Sequence, residues 1–102
     1  MIKHLLAIVV GMMFLISCQT TPAPVTEYAL ARAAIDAARS AQAPRLSAGY
    51  WHQADEFYRR ARAYYKDREY DKAKDLFVQA RMMAEKAENS ARLIRLKTGE
   101  VL

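Results

Sequence analysis

Polar and apolar positions divide the chain into one continuous apolar run and three stretches of helical period. The run is Leu5-Leu6-Ala7-Ile8-Val9-Val10-Gly11-Met12-Met13-Phe14-Leu15-Ile16, preceded by Lys3 and His4. A bilayer span needs about 20 apolar residues, so this stretch is too short for a stable transmembrane helix. A basic start followed by a short apolar core is the pattern of a secretory signal peptide, predicted over 1–17. Beyond it, apolar residues return every three or four positions, which predicts helices over 26–43, 44–66 and 69–98.

The first of these helices places Leu30, Ala31, Ala34, Ile35, Ala38 and Ala41 on one face, with Arg32, Asp36 and Arg39 opposite. Thr26 is its expected N-cap. Pro44 starts the second helix, since proline is tolerated in a first turn. Its seam reads Tyr50, Ala54, Phe57, Ala61, Tyr64, and a second stripe of Trp51, Tyr58 and Tyr65 repeats every seven residues. Lys66-Asp67-Arg68-Glu69 is a tight polar turn. The third helix carries Tyr70, Ala73, Phe77, Ala80, Ala84, Ala87, Ala91 and Ile94 as its seam, and stops at Thr98-Gly99. So short a turn makes the second and third helices antiparallel. The expected fold is all-α, a three-helix antiparallel bundle. The third helix is the longest, and its overhang is expected to leave Leu93, Ile94 and Leu96 uncovered.

Composition agrees with helix. Alanine is abundant, and the chain of 102 residues has only three glycines and three prolines. That length allows one small domain. One cysteine excludes an internal disulfide and a cysteine-pair metal site. The net charge of +5 permits attraction to an anionic surface. Chemistry is harder to find. His4 lies in the leader and His52 stands alone beside Trp51. No nucleophile, base and orienting group are brought together by spacing, so no enzyme, cofactor or metal site is expected.

The motif at the end of the apolar run, Leu15-Ile16-Ser17-Cys18, resembles the bacterial lipobox. The resemblance implies cleavage before Cys18, lipidation of its sulfur and anchoring in the cell envelope through acyl chains such as palmitate. Gln19, in place of an aspartate, points to the outer membrane, with the body facing the periplasm. Residues 18–25 then hold the lipidated cysteine and a flexible tether. Its six residues 19–24 reach roughly 20 Å at full stretch, which keeps the body near the membrane. Exported and anchored, the chain is not expected to meet nucleic acid.

Two further resemblances concern the body. The series Phe57, Ala61, Tyr64, Tyr70, Ala73, Phe77, Ala80 is similar to one tetratricopeptide repeat, with Arg68 and Glu85 in place of its usual turn glycine and closing proline. The repeat's groove-facing positions correspond to Asp55, Tyr58, Arg59, Arg62, Tyr65 and Lys66. The alanine pattern from Ala31 through Ala43-Pro44 and Ala61 to Ala87 resembles the family called domain of unknown function 4398, small helical domains of bacterial envelope proteins. That family implies an envelope role and supplies no catalytic residues.

The resulting expectation is an envelope lipoprotein that acts as a structural or protein-interaction module. Its partner is another envelope protein or a second copy, bound through Tyr58, Arg59, Arg62, Tyr65 and Lys66 or through Leu93 and Ile94. The alternative expectation is a small-ligand or lipid-binding module, with Trp51, Tyr58 and Tyr65 lining an exposed groove beside basic residues.

Overall fold

The computed structural model describes residues 1–16 and 21–99, and the side chains of all of these but 13–16. Among the described residues there is no strand, and five helices follow one another. Helix α1 spans Ile2–Ile16. Its apolar side chains from Ile2 to Met12 are exposed, and it does not pack on the other helices. No described helix is long and apolar enough to cross a membrane.

Helix α2 spans Val25–Ser40. Its N-cap is Pro24, not Thr26, which falls inside the first turn. Pro24 has a φ of −79°, close to helical, and its carbonyl accepts the amide of Tyr28 at 3.0 Å. Pro24 is buried and Ala23 half-buried, so the last residues of the expected flexible tether are seated on the body.

The helix expected over 44–66 is in fact two. A single turn, α3, spans Ala43–Leu46, and α4 spans Ala48–Lys66. Gln42, at φ 64°, occupies the left-handed region and turns the chain out of α2. Ser47, at φ −137°, then breaks α3 from α4. The break has a packing reason. It lets Ala43 and Leu46 reach the apolar cluster of Ile35, Ala38 and Trp51 while α4 departs along its own axis. Proline at the start of α3 fits a first turn, where its missing N–H costs nothing.

Helix α5 spans Tyr70–Lys97 and is the element on which α2, α3 and α4 close. The turn at 67–69 has Arg68 at φ 60°, a conformation that favours glycine. Helix α4 therefore runs antiparallel to α5, and Tyr65 meets Tyr70 across the turn. Helix α2 runs in the same direction as α5. Glu27 lies beside Lys74, Tyr28 stacks on Phe77, and Ile35 and Ala38 join the cluster of Ala84, Ala87 and Ala91.

The inner face of α5 is nearly all alanine. Ala73, Ala80, Ala84, Ala87 and Ala91 have no exposed surface, and neither do Ala31, Ala38, Ala54 and Ala61 opposite them. Small side chains let helix axes approach closely but bury little apolar area each. Bulk is concentrated at the turn end. There Phe77, the largest fully buried side chain, meets Tyr28 at 4.5 Å between ring centres and Tyr58 at 6.0 Å. Two positions read as core face outward instead: Leu30 and Tyr50 are both exposed.

At the other end α3, rather than empty space, covers α5. Arg95 continues the alanine stripe and is only 8 % exposed, with neither Nε nor Nη1 hydrogen-bonded. No acidic residue occurs between Asn89 and Gly99. Guanidinium nitrogens buried without partners oppose folding, although the stem contributes packing.

Two outcomes follow from this packing. Phe77→Ala should lower stability by about 3–5 kcal/mol in thermal or urea unfolding, and an unchanged midpoint would mean that the ring is not the centre of the core. Arg95→Met, which keeps the stem and removes the charge, should stabilise the domain by about 1–2 kcal/mol, read as a raised thermal midpoint. A lowered midpoint for Arg95→Met would show that the guanidinium has partners.

Candidate interaction surface

The residues singled out by sequence lie in three places. Cys18, with Ser17 before it, is outside the described residues. The second group sits on α4, and the third near the end of α5.

On α4 the aromatic stripe faces inward. Trp51 is buried against Ile35, Ala38 and the alanines of α5, with Arg39 over its ring at 5.4 Å. Tyr58 and Tyr65 are half-buried beneath α2, where the edges of Tyr28 approach them at 6.1 and 5.1 Å. Burial, and then the neighbouring Tyr28, push the Tyr58 phenol above its ordinary range. The exposed aromatic groove that a small-ligand reading requires is thus filled by α2. Tyr28 does the filling, and its own spacing carried the signal, for it lies three residues before Ala31 on the same face.

The cations of α4 are exposed, and two of them are engaged. Arg59 pairs with Asp55 at 2.8 Å, and Arg62 lies over the Tyr58 ring at 5.7 Å. Lys66 is exposed in the last turn, next to the left-handed Arg68. His52 is exposed and stands in no described group of metal-holding side chains. This face is solvated and keeps an excess of positive charge, with Arg59, Arg60, Arg62 and Lys66 against Asp55 and Glu56.

The end of α5 is different in kind. Leu93 is 56 % exposed and Leu96 73 %, while Ile94 is half-buried. The reason differs from the expected overhang. Helix α3 covers the inner side of this end, and Leu93 and Leu96 are exposed because they lie on the opposite face of the helix. Val78 and Met82, not singled out by the sequence reading, are exposed on that same face. Their positions four, eleven and three residues apart, taken as 78, 82, 93 and 96, would have placed them there by helical period alone.

The comparisons with known proteins bear on the body. No curated protein and no solved structure matches the chain. A family model described as domain of unknown function (DUF4398) matches residues 26–98, which takes in nearly all of α2 and the whole of α3, α4 and α5. The chain therefore belongs to the DUF4398 family.

Proposed function

We propose that this protein is a bacterial envelope lipoprotein, held in the membrane by acyl chains on Cys18, whose helical body is a structural or protein-interaction module. The observation that carries the interaction reading is the exposure of Leu93 and Leu96, two large apolar side chains on a face that no described residue covers. Exposed apolar clusters of this kind mark contact surfaces. The alternative contact surface, the basic side of α4, is favoured less, because Asp55 and the Tyr58 ring already engage its arginines.

The anchoring reading rests on the sequence. Lys3, the apolar run and Leu15-Ile16-Ser17-Cys18 are arranged as in lipoprotein signals, and outer-membrane placement facing the periplasm follows from Gln19. Multiple acyl chains provide the several anchors that stable attachment requires. Pro24, buried at the turn end of the body, would set that end toward the membrane and the end of α5 away from it. The body itself is read as a three-helix bundle whose α4–α5 hairpin follows the packing of a tetratricopeptide repeat. The left-handed Arg68 in the turn, where such repeats usually have glycine, supports that likeness.

Metabolic labelling with palmitate in a bacterial host, followed by membrane fractionation, tests the anchor. The wild-type chain should take up label and sediment with membranes, and Cys18→Ala should take up none. Equal membrane retention without label in both would contradict lipidation. In the same cells, crosslinks to an envelope partner should vanish with Leu93→Ser and Leu96→Ser and persist with Arg59→Glu and Arg62→Glu.

A further inference from the structure

The last two turns of α4 concentrate positive charge. Between Glu56 and Asp67 the chain has four cations, Arg59, Arg60, Arg62 and Lys66, and no acid. All four are exposed. At about 100° per residue, Arg59, Arg62, Ala63 and Lys66 fall within about 100° of arc, on the side of α4 turned away from the buried Ala54 and Ala61. Arg60 borders that arc. Among the described residues, Arg59 alone of the four has an ion pair, with Asp55. Helix α2 extends the patch. Arg32 lines the cleft between α2 and α4 together with Tyr28 and Tyr65, and Asp36 in that cleft is engaged by Arg39 at 3.5 Å. Burial and Tyr28 raise the Tyr58 phenol, while Arg62 and Arg32 both act to lower it, so both charges lie near that ring.

The same patch lies at the end of the body that an anchor on Cys18 reaches. Thr21, Pro22 and Ala23 border one recess with the stretch from Arg68 to Lys72, and Pro24 is buried beside them. Three residue steps separate Thr21 from Cys18, roughly 10 Å at full stretch. From Lys66 back to Arg59 is about 10 Å of helix axis. A surface that holds Cys18 thus meets these cations well before Leu93 or Leu96, at the far end of α5. We propose that the α4 patch, with Arg32, seats the body on the anionic headgroups of the leaflet that holds Cys18. The proposal rests on the anchored reading above. Lipid fits the patch better than a protein does. Between Arg59 and Lys66 no large apolar side chain is exposed, so the patch lacks the apolar centre of a protein interface. Headgroup phosphates need no fixed geometry, and each basic residue brought near an anionic membrane surface strengthens attachment roughly fivefold. Seated so, the body turns the back of α5 away from the membrane, because α2 and α4 pack on its opposite side. Leu93 and Leu96 then stay open to a partner.

The test uses the full chain, expressed and processed in a bacterial host, purified in non-ionic detergent and reconstituted into vesicles. One set of vesicles is phosphatidylcholine alone; in the other, roughly a third is replaced by phosphatidylglycerol to supply surface charge. Both contain a lipid with a nitroxide on its headgroup. A fluorophore is attached at Ala63→Cys, exposed within the patch, or at Asn89→Cys, exposed on the back of α5. Headgroup quenching at position 63 should be about threefold stronger in the charged vesicles. It should fall to the uncharged level in about 1 M salt, where the Debye length is about 3 Å. Arg59→Glu, Arg62→Glu and Lys66→Glu together should abolish the excess, and position 89 should show none. The salt comparison needs no charge variant, so it decides even if the triple variant misfolds. Equal quenching at position 63 in the two vesicles, or an equal excess at position 89, would overturn the proposal. Density-gradient flotation reads the anchor separately, since a lipidated chain floats with both vesicles. Flotation with both, without the excess at position 63, would overturn the seat and leave the anchor standing. Flotation with the charged vesicles alone, lost in the triple variant, would support the patch and contradict the anchor. A crosslink in cells from Ala63→Cys to an acidic protein, with equal quenching in the two vesicles, would give the patch to that protein and overturn the proposal.

Discussion

Close approach of helices across an alanine surface is the constraint that shapes this molecule. Helix α5 presents Ala73, Ala80, Ala84, Ala87 and Ala91, all without exposed surface, and both α2 and α4 close on it. Alanine costs no side-chain entropy on burial and favours helix, so the arrangement is cheap to order. It also gains little, because a methyl group removes little apolar area from water. The difference is made up at one end, where Tyr28, Tyr58, Tyr65 and Phe77 pack as a group. A small domain built this way depends heavily on a few aromatic rings.

The core is therefore uneven along its length. The turn end is dense in aromatics and holds Pro24, the residue that brings the chain onto the body. The far end is filled by Trp51, small alanines and the single turn α3, and it buries Arg95 with Nε and Nη1 unbonded. Stability should decline from the first end to the second. The exposed apolar residues of α5 follow a different rule, since Val78, Met82, Leu93 and Leu96 run along the back of that helix. One helix thus does two jobs on opposite faces, holding the domain together with alanine and presenting larger side chains outward.

Much of this was legible in the sequence. The alternating steps from Ala73 to Ala91 announced the inner face, and Lys66-Asp67-Arg68-Glu69 announced the turn, of which Lys66 still belongs to α4. The ends of α5 were placed to within a residue, at 69–98 against Tyr70–Lys97. The family resemblance read from the alanine pattern holds over residues 26–98. What was not legible depended on contacts between helices. Tyr28 belongs to the core because Phe77 is opposite, while Leu30, as apolar and as regularly spaced, turns outward. The break at Ser47 has no strong local signal, since no proline or glycine occupies that position; it follows from where Ala43 and Leu46 must pack. The spacing of Tyr58 and Tyr65 allows a groove or a cover by the first helix, and the placement of α2 decides for the cover. Cys18 lies outside the described residues, and for it the motif remains the whole argument.

Native-state hydrogen exchange tests the account of α5 most directly. If the alanine face and Phe77 hold the domain together, amides from Phe77 to Ala87 should exchange slowest and only through global unfolding. Those beyond Ala91 and those at the end of α2 should exchange faster, through local opening. Slowest exchange in α2, or uniformly fast exchange along α5, would contradict the central place given to that helix.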